Sequence, residues 1–296
     1  MIRTGQFADV GRGIRLHYAS TGAFGARPIL FLHGFPEYWG AWEDLMPHFG
    51  SDWHAVAPDL RGFNLSSAPT EVAAYRTREI VGDLEGLASV LKWERLTLVV
   101  HDWGGAAGWY WAITNPDRIE RLVVLNSPHP VPFARAMVGN PEQQAASAYM
   151  NWLRAPGAEQ MLAQDDYRRL DGFFYSMQRP GLDWYTPERA ARYHAVWSRG
   201  LTGGLNYYRA SPLYPPSEHD SAPAAIRLDP AQFRVKVPTL VVWGDADRAL
   251  GTCLLDGLDE LVDELVIERL PGATHWLAHE EPRRIAGMIQ SWRGAA

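Results

Sequence analysis

A strand, a tight turn and a helix follow one another within residues 96–115, and this order constrains the fold more than any other feature of the chain. Residues 96–100 form an apolar run typical of a buried strand, and residues 106–115 have a helical pattern. Asp102 lies in the turn, close to two glycines. Such a turn is typical of a nucleophile elbow, which pushes one side chain into an active site. The alternative is a plain turn in which Asp102 caps the helix.

The side chain at this turn is a carboxylate, and that limits the chemistry. A carboxylate that attacks an acyl carbon yields an anhydride, which gains little. One that displaces a leaving group from a saturated carbon yields an ester, which water can cleave. Asp102 therefore favours cleavage of a C–O or C–halogen bond over hydrolysis of an ester or peptide. Val100 stands where an elbow usually has a small residue, and we expect it to tighten the turn.

Strand-like and helix-like runs alternate along most of the chain. A hairpin is predicted at residues 6–10 and 13–19. Strands are predicted at residues 29–32, 54–57, 96–100, 122–125, 239–243 and 265–270, and helical stretches at 33–49, 77–91, 106–115, 250–258 and 281–292. This rhythm predicts an α/β fold with a mostly parallel sheet and helices on both faces. Ligand sites in such sheets lie beyond the carboxyl ends of the strands.

Residues 132–227 interrupt this rhythm. They are rich in Tyr, Trp, Arg and Ala, have helical stretches with few β-branched runs, and are flanked by prolines. We therefore predict a core made of residues 1–131 and 228–296, with residues 132–227 inserted as a helical cap.

Composition narrows the classes of partner. The 296 residues carry a net charge of −6 and no run of Lys or Arg, which disfavours nucleic acid and anionic membranes as partners. Neither a signal-peptide core nor an 18-residue apolar stretch occurs, and the single cysteine cannot form an intrachain disulfide. We therefore expect a cytoplasmic protein. We also expect no metal site, because no His/Cys cluster has ligand spacing. The oligomeric state stays open, with a homodimer as one alternative.

Residues that suit one mechanism follow four of the predicted strands. The turn at 33–36 is expected to aim the Phe35 N–H into the site, where it would form an oxyanion hole with the Trp103 N–H. Asp245 and Asp247 follow the predicted strand at 239–243, and either carboxylate is suited to accept a hydrogen bond that orients a histidine. His275 follows the last strand. Taken singly, these are a plain turn, a polar loop and a loop histidine. Together their order is that of nucleophile, acid and base in the α/β-hydrolases.

Several stretches resemble the epoxide hydrolase branch of the α/β-hydrolases over essentially the whole chain. They are HGFPEYW (33–39), DLRGF (59–63), HDWGG (101–105), LNYYRA (205–210), WGDADRALG (243–251) and GATHW (272–276). The resemblance implies the α/β-hydrolase fold and hydrolysis of an epoxide to a vicinal diol without a cofactor. It also implies that two lid tyrosines, Tyr208 and Tyr149, hydrogen-bond to the epoxide oxygen. Asp247 matches the acid that orients the histidine, with Asp245 as second choice.

The chain departs from this branch at three positions. Val100 and Asn64 stand where Gly is common, and Arg248 stands where Pro is frequent. None of the three removes a catalytic group.

The residues themselves agree with this interpretation. Opening an epoxide needs attack at carbon and a proton for the departing alkoxide, and tyrosine hydroxyls are uncharged donors at neutral pH. The mechanism predicts attack by Asp102, followed by water that His275 activates. We expect His33, Pro36, Trp103 and Trp276 to contact a small apolar epoxide, while His129 is expected to be a loop residue.

Two alternatives remain. A haloalkane or haloacetate dehalogenase uses the same Asp nucleophile, and the Trp103 indole would suit a halide. Phe35 cannot supply a second halide donor, and Trp103, Gly105 and Ala106 stand where haloacetate enzymes carry basic residues. The other alternative is a ligand receptor on the same fold, which would not need an aligned nucleophile, acid and base.

Overall fold

Eight strands form one sheet over residues 1–292, the part of the chain that the computed structural model describes. The strands are β1 (Arg3–Gly11), β2 (Ile14–Gly22), β3 (Arg27–Leu32), β4 (Trp53–Pro58), β5 (Leu96–His101), β6 (Ile119–Leu125), β7 (Thr239–Gly244) and β8 (Leu265–Leu270). Their order in the sheet is β1-β2-β4-β3-β5-β6-β7-β8. The pairs β1–β2 and β2–β4 are antiparallel, and the others are parallel. The predicted hairpin and mostly parallel sheet are confirmed.

Helices connect the strands, and several of them lie in the long segment between β6 and β7. They are α1 (Thr77–Val90), α2 (Asp102–Thr114), α3 (Pro130–Gly139), α4 (Pro141–Ala146), α5 (Tyr149–Arg154), α6 (Ala158–Met177), α7 (Pro187–Trp197), α8 (Thr202–Ala210), α9 (Leu277–Glu280) and α10 (Pro282–Ser291). Short 3-10 helices occupy Trp39–Trp42, Met46–His48, Val72–Tyr75, Pro116–Arg118, Ala222–Ala225, Pro230–Phe233, Thr252–Leu255 and Leu258–Glu260. Within residues 1–292, no helix has both the length and the apolar character to cross a membrane.

Apolar side chains leave the sheet on both faces because successive strand residues point to opposite sides. On β5, Leu98 and Val100 pack in the larger core with α1 and α2, whereas Val99 packs in a second core with α10. Strands covered on both sides read as continuous apolar runs, which is why the strands were recognisable in the sequence.

Two predicted helices are wrong. Residues 33–49 and 250–258 contain only short 3-10 helices. The first stretch includes Gly34, Pro36 and Pro47, which interrupt an α-helix, and the second is broken at Gly257, whose φ is +72°. Helix α2 also begins at Asp102, four residues before the predicted start.

The helices α3 to α8 all lie between β6 and β7 along the chain, where the sequence predicts an inserted cap. Helix α6 is broken at residues 164–167, three of which have left-handed φ values near +50° to +64°. All eight strands of the sheet described above lie outside residues 132–227. The β6–β7 connection thus places a helical segment beside the carboxyl ends of the parallel strands.

Candidate active site

The elbow between β5 and α2 holds Asp102 in a strained conformation. Its φ is +49°, in the left-handed region that residues other than Gly rarely adopt. Such strain costs about 1–3 kcal/mol and persists only where the surroundings enforce it. Close packing supplies that restraint, since a Cβ at Gly104 would lie 2.3 Å from the Leu32 carbonyl oxygen. The Ser127 hydroxyl also donates to the Asp102 carbonyl at 2.8 Å.

Val100 fits the elbow because α2 has a glycine opposite to it. A Cβ added at Gly108 would lie 2.7 Å from Val100 Cγ1. The valine side chain therefore occupies the space that a larger residue at Gly108 would need. The tightening of the turn expected from Val100 is therefore avoided, because Gly108 on α2 has no side chain at the point of contact.

The two carboxylate oxygens of Asp102 have different neighbours. Oδ1 accepts a hydrogen bond from the Phe35 N–H at 2.7 Å. Oδ2 lies 3.9 Å from Nε2 of His275. Trp103 belongs to the first turn of α2, where backbone N–H groups have no carbonyl partner within the helix. One oxygen is thus fixed by the backbone, and the other faces the histidine.

His275 is held by Asp247 on its other side. The Nδ1–H of His275 donates to Asp247 Oδ2 at 2.7 Å. Asp247 Oδ1 accepts from the N–H groups of Ala249 and Leu250 at 2.8 and 2.9 Å. The histidine side chain is only 5% exposed, so its orientation is set inside the protein.

The two candidate carboxylates after β7 separate clearly. Asp247 contacts His275, whereas Asp245 accepts from Nε of Arg269 at 2.9 Å, with the arginine side chain 53% exposed. The first choice from the sequence is therefore the one that lies against the histidine.

Asn126 was missed by the sequence analysis. It directly follows β6 with a φ of +35°, and its Nδ2 donates to Asp247 Oδ2 at 2.7 Å. Its Oδ1 accepts from the Gly244 N–H at 2.7 Å, so the amide also ties β6 to the end of β7. Its place after a parallel strand, beside two others that carry site residues, was the available signal.

Electrostatics keep the histidine protonated in the resting enzyme. Burial lowers the pKa of His275, but the charge and hydrogen bond of Asp247, with Asp102 and Glu37, outweigh it and raise the pKa to about 9. Burial raises the pKa of Asp247, but His275 and its other donors hold it below its usual range. His275 therefore lies as a cation between two carboxylates.

A buried group of ionisable side chains beside His275 was also missed. Glu37 accepts from His279 Nε2 at 2.7 Å and from the Tyr193 hydroxyl at 2.8 Å, and it lies 3.4 Å from His101 Nδ1. Burial alone would raise the pKa of Glu37, but these histidines hold it well below its usual range. His101 Nε2 lies 2.9 Å from the His275 carbonyl oxygen, which connects this group to the loop of the site.

Tyr149 on α5 and Tyr208 on α8 lie above Asp102, with ring centroids 6.2 Å apart. Burial raises the pKa of both tyrosines, and the charge of Asp102 raises both further. Both hydroxyls are therefore neutral at physiological pH. Arg154 of α5 donates to the carbonyl oxygens of Tyr208 and Ser211, which holds the two helices together.

Two cavities meet at Asp102, Tyr149 and Tyr208. The larger one measures about 250 Å³ and the smaller one about 150 Å³. The larger cavity is mostly apolar and is lined by Trp103, Tyr110, Ile113, Phe133, Met150, Leu213, Leu228 and Phe233 among others. The smaller one is lined by Phe35, Phe173, Met177, Arg248, His275 and Trp276 among others.

Of the four residues expected to contact substrate, two border these cavities and two do not. Trp103 and Trp276 line these cavities, but His33 and Pro36 line neither. His33 is fully buried. Its Nε2 accepts a hydrogen bond from the Leu60 N–H at 3.1 Å, and its Nδ1 bonds to the Gly34 carbonyl. Pro36 uses its carbonyl to accept from the Trp197 indole at 2.7 Å. Both residues therefore support the turn rather than contact a ligand.

Two further residues have structural positions. His129 accepts from the Val131 N–H and so caps α3, and burial lowers its pKa to about 4. Asn64 has a φ of +47°, a conformation that asparagine tolerates better than most residues, and its Nδ2 donates to buried Asp59 at 2.8 Å. An amide hydrogen bond thus accompanies the replacement of a common glycine. Over residues 1–292, no three His, Cys, Asp or Glu side chains are grouped to hold a metal ion.

Comparisons with known proteins agree with this geometry. Residues 27–282 match the family model described as the alpha/beta hydrolase fold. The chain is 30% identical over 285 residues to mouse epoxide hydrolase 4, covering 94% of this chain and 76% of that protein. It is 32% identical to the AB hydrolase superfamily protein YfhM of Bacillus subtilis, covering 96% of each.

Solved structures extend the likeness to three dimensions. A Bacillus megaterium epoxide hydrolase in complex with an inhibitor superposes with a TM-score of 0.87 at 31% identity, over 96% of this chain and 98% of that chain. The epoxide hydrolase VrEH1 of Vigna radiata gives a TM-score of 0.76 at 28% identity, over 98% and 96% of the two chains.

Proposed function

The chain belongs to the epoxide hydrolases of the α/β-hydrolase fold, and we propose that it opens its epoxide through a covalent ester on Asp102. The observation that carries this mechanism is the unequal environment of the carboxylate. Oδ1 is held by the Phe35 N–H at 2.7 Å, while Oδ2 lies 3.9 Å from Nε2 of His275. Asp102 borders a cavity together with both tyrosines. A fixed carboxylate with one free oxygen suits direct attack on a substrate carbon.

In the first step, Oδ2 of Asp102 attacks one epoxide carbon and the C–O bond to the ring oxygen breaks. Tyr208 and Tyr149 donate hydrogen bonds to that oxygen and supply its proton as the alkoxide develops. Their raised pKa values keep them protonated until negative charge appears beside them. The product of this step is a hydroxyalkyl ester of Asp102.

Ester formation also prepares the base for the second step. It removes the negative charge of Asp102, which is one of the groups that raise the pKa of His275. The pKa of His275 then falls below about 9, so the imidazole loses its proton more easily. Alkylation of the nucleophile thus favours the neutral histidine that hydrolysis needs.

In the second step, His275 removes a proton from water, and the resulting hydroxide attacks the ester carbonyl carbon. Asp247 stabilises the imidazolium that forms. The N–H groups of Phe35 and Trp103 stabilise the oxyanion, since Oδ1 already lies on the first of them. Collapse of the tetrahedral intermediate transfers the proton on His275 to the leaving oxygen and releases the vicinal diol. Asp102 is regenerated as the acid, and its proton returns to the tyrosine that gave one up in the first step. We further propose that residues 132–227 act as the cap that carries both tyrosines over a core of residues 1–131 and 228–296.

The mechanism is tested by following oxygen in a single turnover. With enzyme in excess over a styrene-type epoxide in heavy-oxygen water, the first diol should be unlabelled, because its new oxygen comes from Asp102. The peptide that contains Asp102 should gain the label when water cleaves the ester. A labelled first diol with an unlabelled Asp102 would mean that the carboxylate only activates water, and the ester mechanism would be wrong.

One observation favours the dehalogenase alternative. The indole N–H of Trp103 is buried and, within residues 1–292, has no hydrogen bond partner, as a halide donor would require. Phe35 offers no side-chain donor to complete a halide site. We expect diol from aryl or alkyl epoxides and little halide release from haloalkanes or fluoroacetate. Fast halide release without diol formation would reverse this assignment.

A further inference from the structure

The two cavities differ in charge as well as size. Apart from Asp102, which borders both, no Lys, Arg, Asp, Glu or His lines the 250 Å³ cavity over the described residues. The 150 Å³ cavity has a cationic side chain, Arg248, in its wall, together with His275. A substituent in the larger cavity therefore meets apolar surface, whereas the smaller cavity is bordered by a cationic residue.

Arg248 is not neutralised by its neighbours. It is exposed, and within residues 1–292 its side chain forms no hydrogen bond, ion pair or ring contact. The adjacent Asp247 is committed to His275 and Asn126. Asp245 is paired with Arg269 at 2.9 Å. The charge of Arg248 is thus available to a ligand in the cavity.

A cation at this position changes which ligands the cavity can admit. Asp102 and Asp247 are the two carboxylates that face His275, and protonated His275 offsets only one of them. Glu37 is paired with His279. An anionic substituent that entered alone would be repelled by Asp102. A guanidinium group offsets that repulsion and pairs with a carboxylate through two parallel hydrogen bonds.

We propose that Arg248 binds an anionic group of the substrate, so that the preferred epoxides carry a carboxylate on one arm and an apolar substituent on the other. The apolar arm occupies the 250 Å³ cavity, the epoxide lies at Asp102, and the carboxylate reaches Arg248 through the 150 Å³ cavity. The smaller volume limits this arm to a short chain. This inference rests on the proposed function and adds a substrate class to it.

The test uses matched pairs of epoxides. Each pair has a phenyl group on one epoxide carbon and, on the other, either a carboxylate or the isosteric primary amide, joined through zero to four methylene groups. The kcat/KM of each member is measured for the parent enzyme, Arg248→Gln and Arg248→Lys. Arg284→Gln is the control, because Arg284 is also exposed and lines neither cavity.

The parent enzyme should prefer the carboxylate over the amide most strongly at one chain length. Arg248→Gln should lower kcat/KM for that carboxylate about 10–100-fold, the range for loss of a charge-assisted hydrogen bond, and lower it less for the amide, which carries no charge. Arg248→Lys should retain part of the preference, and Arg284→Gln all of it. Added salt should reduce the preference of the parent but not that of Arg248→Gln.

Failure of this inference is distinguishable from failure of the proposed function. If the amides are hydrolysed but Arg248→Gln changes both members of each pair equally, the anion site is wrong and epoxide hydrolysis stands. If no epoxide is hydrolysed, both proposals are wrong. Inhibition adds a readout without turnover: 3-phenylpropionate should inhibit the parent more strongly than its amide, and a difference that survives in Arg248→Gln would contradict a role for Arg248.

Discussion

The site residues on the sheet and those on the inserted helices are held by different forces. At the strand ends, Asp247 accepts four hydrogen bonds, from His275, Asn126 and two backbone N–H groups. On the helices, Tyr208 is held mainly by ring packing, with centroids 5.4 Å from Phe35 and 4.9 Å from Trp103. Directional bonds fix the charged groups tightly, whereas packing leaves the tyrosines more freedom. We therefore expect substitutions of the charged groups at the strand ends to affect chemistry most.

The largest effect is expected at the nucleophile. Asp102→Asn should lower kcat by about 10⁴-fold or more, because the amide cannot form the ester. Asparagine tolerates the left-handed φ of +49° at this position, so the fold should be retained. Diol formation and thermal unfolding measure the two properties. If Asp102→Asn folds and keeps substantial activity, the distinction between the two sets of residues is lost.

The next effect is expected at His275. His275→Gln should still be alkylated at Asp102, because attack needs no base, but should release diol about 10²–10⁴-fold more slowly. Intact-protein mass spectrometry should then show the enzyme plus one substrate mass. The double variant Asp102→Asn with His275→Gln should show no added mass. An unmodified mass for His275→Gln, after incubation with an epoxide that the parent hydrolyses, would contradict a covalent route.

The pH dependence of ester hydrolysis belongs to the same residue. His275 must be neutral to accept a proton, so the rate should rise with pH and level off above its pKa. The pKa is about 9 while Asp102 is charged and lower in the ester, so the midpoint should lie below 9. Rapid mixing of epoxide with excess enzyme at several pH values measures it.

The tyrosines test the helical side of the comparison. Tyr208→Phe should lower kcat by as much as 10²–10⁴-fold and change binding little, with a smaller loss if Tyr149 compensates. The variant with both substitutions should be nearly inactive. Steady-state kinetics of the three variants separate kcat from KM. Parent-like turnover in all three would mean that both residues only pack.

The smallest effect is expected from a supporting residue of the sheet. Asn126→Ala removes a 2.7 Å hydrogen bond to Asp247 and should lower kcat about tenfold, with a shift in the pH profile of ester hydrolysis. Asn140→Ala is a matched control, because Asn140 caps α4 through the Gln143 N–H. It should lower stability by about 1 kcal/mol without a pH shift. An unchanged pH profile in Asn126→Ala would show that sheet residues are no more tightly coupled than helical ones.

The difference between local sequence patterns and contacts between distant segments explains what the sequence could predict. The parallel strands and the order of Asp102, Asp247 and His275 were recognisable, because apolar runs followed by short polar turns are local patterns. Asn126 and Glu37 were not identified as site residues, since they bond to partners far away in the chain. Arg248 was not identified because the cavity that it borders is built from segments far apart in the sequence. His33 was misplaced for the converse reason. It is next to the site in sequence, but its ring points into the backbone of a neighbouring turn.

The contact between Val100 and Gly108 has a consequence for how such chains evolve and are recognised. A Cβ at Gly108 would lie 2.7 Å from the valine, so position 108 cannot take a larger residue without loss while position 100 is valine. Gly108→Ala should be harmful beside Val100 and tolerated beside glycine, which is epistasis between two sites eight residues apart. For the larger side chain to move from position 100 to position 108 during evolution, the sequence would have to pass through an intermediate with small residues at both positions. A signature that demands a small residue at position 100 would overlook lineages in which the helix provides the space.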